Sequence, residues 1–108
     1  MSNSEIMRRM RNLSIEAADA LWAIRKNKKP DRNPEDICRD IEQHHPAVAL
    51  AFSALQNPPI LKRMHGYCGD AARALKTGAS ERAMIDINQD IHRLRPEVDH
   101  ILAQLEAN

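Results

Sequence analysis

Apolar residues recur with a helical period along the last quarter of the chain. Met84, Ile87, Ile91, Leu94, Val98, Ile101 and Leu105 follow one another at spacings of 3, 4, 3, 4, 3 and 4. This is an unbroken heptad stripe on a helix from Ser80 to Leu105. The stripe keeps its frame across Pro96, where the missing N–H predicts a kink or a break. Such a stripe packs along its length on another helix, whether in the same chain, in a second copy or in another protein. The start of the chain repeats the pattern. Ile6, Met10, Leu13, Ala17, Ala20 and Ile24 recur at spacings of 4, 3, 4, 3 and 4 on a helix running to about Asn27. Ser2 with Glu5 fits a capping box at its start.

Between these two helices the pattern predicts three more. Asn33 fits an N-cap with Pro34 at the first helical position, and Ile37 and Ile41 mark a buried face. His45 should end this helix, because the residue before Pro46 is pushed out of the helical region. Pro46 then opens a third helix through Gln56. Ala47, Val48, Ala49, Leu50, Ala51, Phe52, Ala54 and Leu55 make it apolar nearly all round, which predicts a central position. Asn57-Pro58-Pro59 is a hard break. The fourth helix runs from about Ile60 to Lys76, with Leu61, Met64, Cys68, Ala71 and Leu75 on one face. Gly66 and Gly69 lie inside it, which predicts local softness or a close backbone approach. Gly78 and Ser80 fit a C-cap and the next N-cap. The expected fold is all-α, a compact bundle of about five helices with long first and last members. Residues 1–108 form a single domain.

Composition narrows the class. Apolar residues are 43% and aromatic residues 3% of the chain, so the core is built from aliphatic side chains, Met and Ala. The formal net charge of +1 argues against a dedicated nucleic-acid or membrane-surface binder. Charge is nevertheless uneven: residues 1–32 carry 8 basic and 4 acidic side chains, the remainder 8 and 11. Two cysteines and the lack of an export signal suit a reduced, cytoplasmic setting. The longest nearly uncharged run, Pro46 to Ile60, is too short to span a bilayer.

Four kinds of chemistry bear on the function. Cys38, His44, His45, His65 and Cys68 could gather around zinc, but their spacing matches no standard finger, so no metal or cofactor is expected. Arg8-Arg9-Met10-Arg11 and Arg25-Lys26-Asn27-Lys28-Lys29 are basic clusters, yet there is no compact helix-turn-helix with its own basic reading helix. No Gly-rich phosphate loop, nucleophile elbow or H-E-x-x-H is present, so an enzyme is not expected.

The fourth is phosphotransfer. The segment from Ile60 to Gly69 locally resembles the active helix of histidine-phosphotransfer domains, which are four-helix bundles of about this length. His65 stands in the histidine position, Gly69 fits the glycine, and Ala71 and Ala72 fit the small residues that follow. Cys68 replaces the lysine of that pattern. The resemblance implies a signalling domain in which His65 accepts phosphate. A small helical nucleic-acid-binding protein is the other alternative.

The reading preferred on the sequence is a small non-enzymatic regulatory protein that acts by protein–protein interaction. Its concrete form is inhibition or sequestration of a transcription factor or a signalling protein. Ile15 and Trp22 lie off the first stripe, and Trp is the residue type most enriched at binding hot spots. Trp22 and Ile15, with Arg8, Arg11 and Lys29, are therefore the candidate partner-binding residues, meeting an acidic, apolar groove. The stripe from Met84 to Leu105 is the candidate dimer or helix-pairing surface. Two full-length stripes are more than one small core readily buries, which predicts a homodimer.

Overall fold

The computed structural model describes residues 1–107, and they form four helices. Helix α1 is Asn3–Arg25, α2 is Pro34–Ala54, α3 is Pro59–Thr77 and α4 is Glu81–Ala107. The start of α1 meets the later part of α2 (Ile6 with His44) and the end of α4 (Arg8 with Glu106), and the end of α3 meets the first half of α2 (Lys76 with Glu42), so the bundle is up-down-up-down. Its principal extents are 43 × 25 × 20 Å.

The caps follow the sequence. Ser2 Oγ accepts from the Glu5 N–H at 3.2 Å, and Ser2 N–H donates to Glu5 Oε1 at 3.3 Å, closing the capping box. The Asn33 side chain accepts from the Glu35 N–H at 2.9 Å. Gly78 ends α3 with φ of 84°, and Ser80 Oγ accepts from the Ala83 N–H. Gln56 and Asn57 both take left-handed φ values, 61° and 53°, ahead of Pro58, which makes the turn between α2 and α3 sharp.

The helix count is four rather than five, because Pro46 does not divide α2. Ile37, Ile41, His44, Val48, Ala51 and Leu55 recur at spacings of 4, 3, 4, 3 and 4 straight through it. All are buried or half-buried. Pro46 itself sits on the exposed side, where the carbonyl freed at Glu42 faces water. Pro96 occupies the same kind of position inside α4, so that helix also continues unbroken.

The segment from Pro46 to Gln56 is not the central element. It is the outer half of α2, which buries Val48, Ala51 and Phe52 but leaves Ala49, Leu50 and Ala54 exposed. The centre is the diagonal pair of α1 and α3. Each touches all three other helices, whereas α2 and α4 do not touch among the described residues. Three neighbours require a wide buried face. Met7, Met10, Leu13, Ser14, Ala17, Ala18, Ala20 and Leu21 are all buried, while Ile24 at the end of the predicted stripe is 37% exposed. On α4, Ile91, Leu94 and Val98 are buried, and Met84, Ile87, Ile101 and Leu105 pack half-buried against the same core. Both stripes are thus engaged within one chain. No helix among the described residues is long and apolar enough to cross a membrane.

Candidate functional site

Two places bring unusual side chains together. The first is the α1–α4 edge, where the line Arg8, Arg11, Ile15, Trp22 and Arg25 runs along α1. Arg8 pairs with Glu106 at one end. Arg11 holds Asp99 with both prongs of its guanidinium, at 2.8 and 3.1 Å. Ile15 is half-buried against the core. At the other end Arg25 Nε lies 3.3 Å from Glu81 Oε1, buried and without a completed hydrogen bond. The candidate partner-binding residues therefore divide. Arg8 and Arg11 are engaged by acidic residues of α4, Ile15 is partly covered, and Trp22 and Lys29 remain exposed.

Trp22 is 37% exposed. The Arg25 guanidinium carbon and Lys26 Nζ each lie 4.8 Å from its ring centroid. One cation at this distance is attracted by the ring quadrupole. Arg25 is paired with Glu81, so the unpaired positive charge beside the ring is that of Lys26. Lys28, Lys29 and Arg32 follow in the loop. The Arg32 guanidinium bridges Glu16 and Asp40, tying the loop to α1 and α2. Its charge holds the Asp40 carboxyl below the usual carboxylate range. Lys26, Lys28 and Lys29 form no ion pair among the described residues.

The second place is the seam between α2 and α3. His45 Nδ1 lies 3.0 Å from His65 Nε2, with ring centroids 4.7 Å apart and planes at 18°. The edge of Phe52 meets His65 from beside, centroids 5.5 Å apart. Burial, and then the nearby His45 and His44, push the His65 pKa below its ordinary value. The ring is thus favoured in its neutral form. The phosphate-accepting nitrogen implied by the phosphotransfer resemblance is turned toward His45 in this structure. A Cβ placed on Gly66 or Gly69 would meet nothing within 4 Å. No backbone approaches these glycines, and they open a groove instead.

Of the five residues that could gather around zinc, His45 and His65 meet and the other three are directed elsewhere. His44 Nε2 donates to the Ile6 carbonyl at 2.8 Å. Cys38 Sγ donates to the Ala72 carbonyl at 3.3 Å. Cys68 is buried, and burial pushes its thiol pKa up to about 11. No three His, Cys, Asp or Glu side chains converge on a point among the described residues.

Sequence reasoning did not find the His45–His65 pair, the Arg32 bridge, or Asn88, whose buried amide donates to the Ala18 carbonyl at 2.8 Å. The register between α2 and α3 carries the first of these, since both histidines flank a heptad stripe. No family model, curated protein or solved structure matches the chain.

Proposed function

We propose that this protein acts by binding another protein, with the exposed end of α1 as the contact. The observation that supports this reading is Trp22, the one tryptophan of the chain, left 37% exposed under two cations. Trp and Arg are the residue types most enriched at binding hot spots, where a large ring fills a pocket and a cation pairs at its rim. Lys26, Lys28 and Lys29 carry unpaired positive charge beside it, so the complementary surface is acidic with an apolar pocket. The contact set narrows to Trp22, Lys26 and Lys29, because Arg8, Arg11 and Arg25 are paired with acidic residues of α4 and Ile15 is partly covered. The regulatory form of this reading is that the bundle masks such a surface on a transcription factor or signalling protein.

The experiment uses the wild-type chain and Trp22→Ala as baits in parallel from the native cell, followed by affinity measurement on the captured protein. Trp22→Ala is expected to keep nearly the full melting temperature and to lose about 2 kcal/mol or more of partner affinity. Loss of roughly 3–5 kcal/mol of fold stability would instead make Trp22 a core residue and overturn the reading. Equal capture by both baits would overturn it as well.

A further inference from the structure

The facing nitrogens of His45 and His65 lie 3.0 Å apart, and neither has another hydrogen-bond partner among the described residues. They come from different helices, one from α2 and one from α3. We propose that the pair forms a two-point clamp for a late first-row divalent cation, Cu2+ or Ni2+, that ties α2 to α3.

The spacing selects the ion class. An imidazole nitrogen sits roughly 2.0–2.1 Å from such a metal. Two bonds of that length spanning 3.0 Å enclose an angle of about 94° at the metal. That is the cis angle of square-planar and octahedral sites and falls well below the tetrahedral angle preferred by structural zinc. Square-planar or tetragonal nitrogen and oxygen sites suit Cu2+ and Ni2+.

The surroundings allow the ion to enter. His45 is exposed, so an ion can reach the pair from solvent and displace to water the proton that the facing nitrogens share. Gly69 lies one turn beyond His65 and leaves open space where a side chain would stand. His45 and Gly69 line the α2–α3 groove, from which water would fill the remaining coordination positions. The charged groups along that groove are already balanced: Lys76 pairs with Glu42 and Arg73 with Asp70. The neutral form of His65 favoured by burial keeps its lone pair available. Because the two rings meet only in the folded chain, a bound ion stabilises the fold.

The test titrates the purified full-length protein with NiCl2 and CuCl2 at pH 7.5, by calorimetry and by thermal melting. One equivalent should bind and raise the melting temperature. His45→Ala and His65→Gln should each bind at least tenfold more weakly and lose the rise, while His100→Ala should behave as wild type. Melting of each variant without metal reports whether it folds, and His45→Ala, at an exposed position, secures the test if His65→Gln does not. Undiminished binding by His45→Ala would overturn the clamp, as would binding with no change in melting temperature. Tighter binding of Zn2+ than of both other ions would overturn the angular assignment.

Discussion

The α1–α4 and α2–α3 seams join antiparallel helices of similar length, yet they are held by different chemistry. Along α1–α4, Arg8, Arg11 and Arg25 meet Glu106, Asp99 and Glu81, and Asp19 accepts from His92. Beneath these pairs lies the continuous stripe of α4. Along α2–α3, one ion pair, Lys76 with Glu42, accompanies a neutral thiol, Cys38, and two facing imidazoles. Three of the four charged pairs of the first seam keep their charges across the neutral pH range. In the second, burial and then the neighbouring imidazoles favour His65 in its neutral form. The first seam is therefore expected to respond chiefly to salt, and the second to acid at His65.

The largest contrast is expected from truncating the apolar floor of each seam. Ile91 is fully buried on α4, and Ile91→Ala should cost about 2–5 kcal/mol in urea unfolding. Ile41 stands at the edge of α2, 8% exposed, with no fourth helix beyond it. Ile41→Ala should fall at the low end of the same range, because the site can collapse or admit water. Equal losses would mean that the two seams are packed alike.

The next effect has the opposite sign. Pro46 and Pro96 each break one backbone hydrogen bond inside a helix on the exposed side. Proline costs about 3 kcal/mol against alanine in a helix interior. Restoring alanine gives back up to about 1 kcal/mol by loosening the unfolded chain. Pro46→Ala and Pro96→Ala should each stabilise by roughly 2 kcal/mol, read from the urea midpoint. A destabilising result at Pro46 would show that the bend it imposes sets the α2–α3 register.

These prolines also show what was legible in the sequence. At Pro96 seven hydrophobic positions carried the stripe through the break, and the long last helix was readable. At Pro46 the stripe is equally continuous, but its middle position is His44. That imidazole is buried because it reaches the Ile6 carbonyl, a partner 38 positions away that no local pattern reveals. The alanine-rich run after Pro46 misled for a related reason, since alanine is tolerated on either face and leaves the buried side undefined. The caps were legible because they are local. The breadth of the α1 face was not, because Ala18 and Leu21 are buried by the second and third neighbours of α1, and a two-helix heptad assumes only one. The stripes engage each other within one chain, with Met84, Ile87, Ile101 and Leu105 only half-buried, and light scattering at micromolar concentration decides between the expected homodimer and the 12.3 kDa monomer. Arg8 and Arg11, expected at a partner's surface, pair with Glu106 and Asp99 of the same chain, residues more than 80 positions away that no local pattern reveals.

A smaller effect separates the seams by salt. The Arg11 side chain is 17% exposed and that of Asp99 is 42% exposed. Such a partly screened pair is worth up to about 1 kcal/mol. Arg11→Met keeps the aliphatic stem over the core and should lose no more than that. The loss should shrink as salt rises toward 1 M, where the screening length is roughly 3 Å. His45→Ala, across the other seam, should show no such salt dependence at pH 8.

The smallest effect expected is a proton effect confined to α2–α3. The His65 pKa is lowered from its ordinary value of 6.5, first by burial and then by His45 and His44. The unfolded chain therefore takes up a proton at this residue at a higher pH than the folded chain does. Wherever the unfolded state binds more protons, stability rises with pH. The contribution of His65 is thus fully present above about pH 6.5 and is lost as the pH falls through the folded value. Asp40 and Glu5 have pKa values lowered from the carboxylate range, so their losses begin only at more acidic pH and do not overlap this window. Melting temperatures measured in metal-free buffer from pH 8 to pH 5 should decline for the wild type and stay nearly flat for His65→Gln. If the decline persists unchanged in His65→Gln but disappears in His92→Gln, the titrating contact is the one with Asp19, and the proton sensitivity belongs to the α1–α4 seam instead.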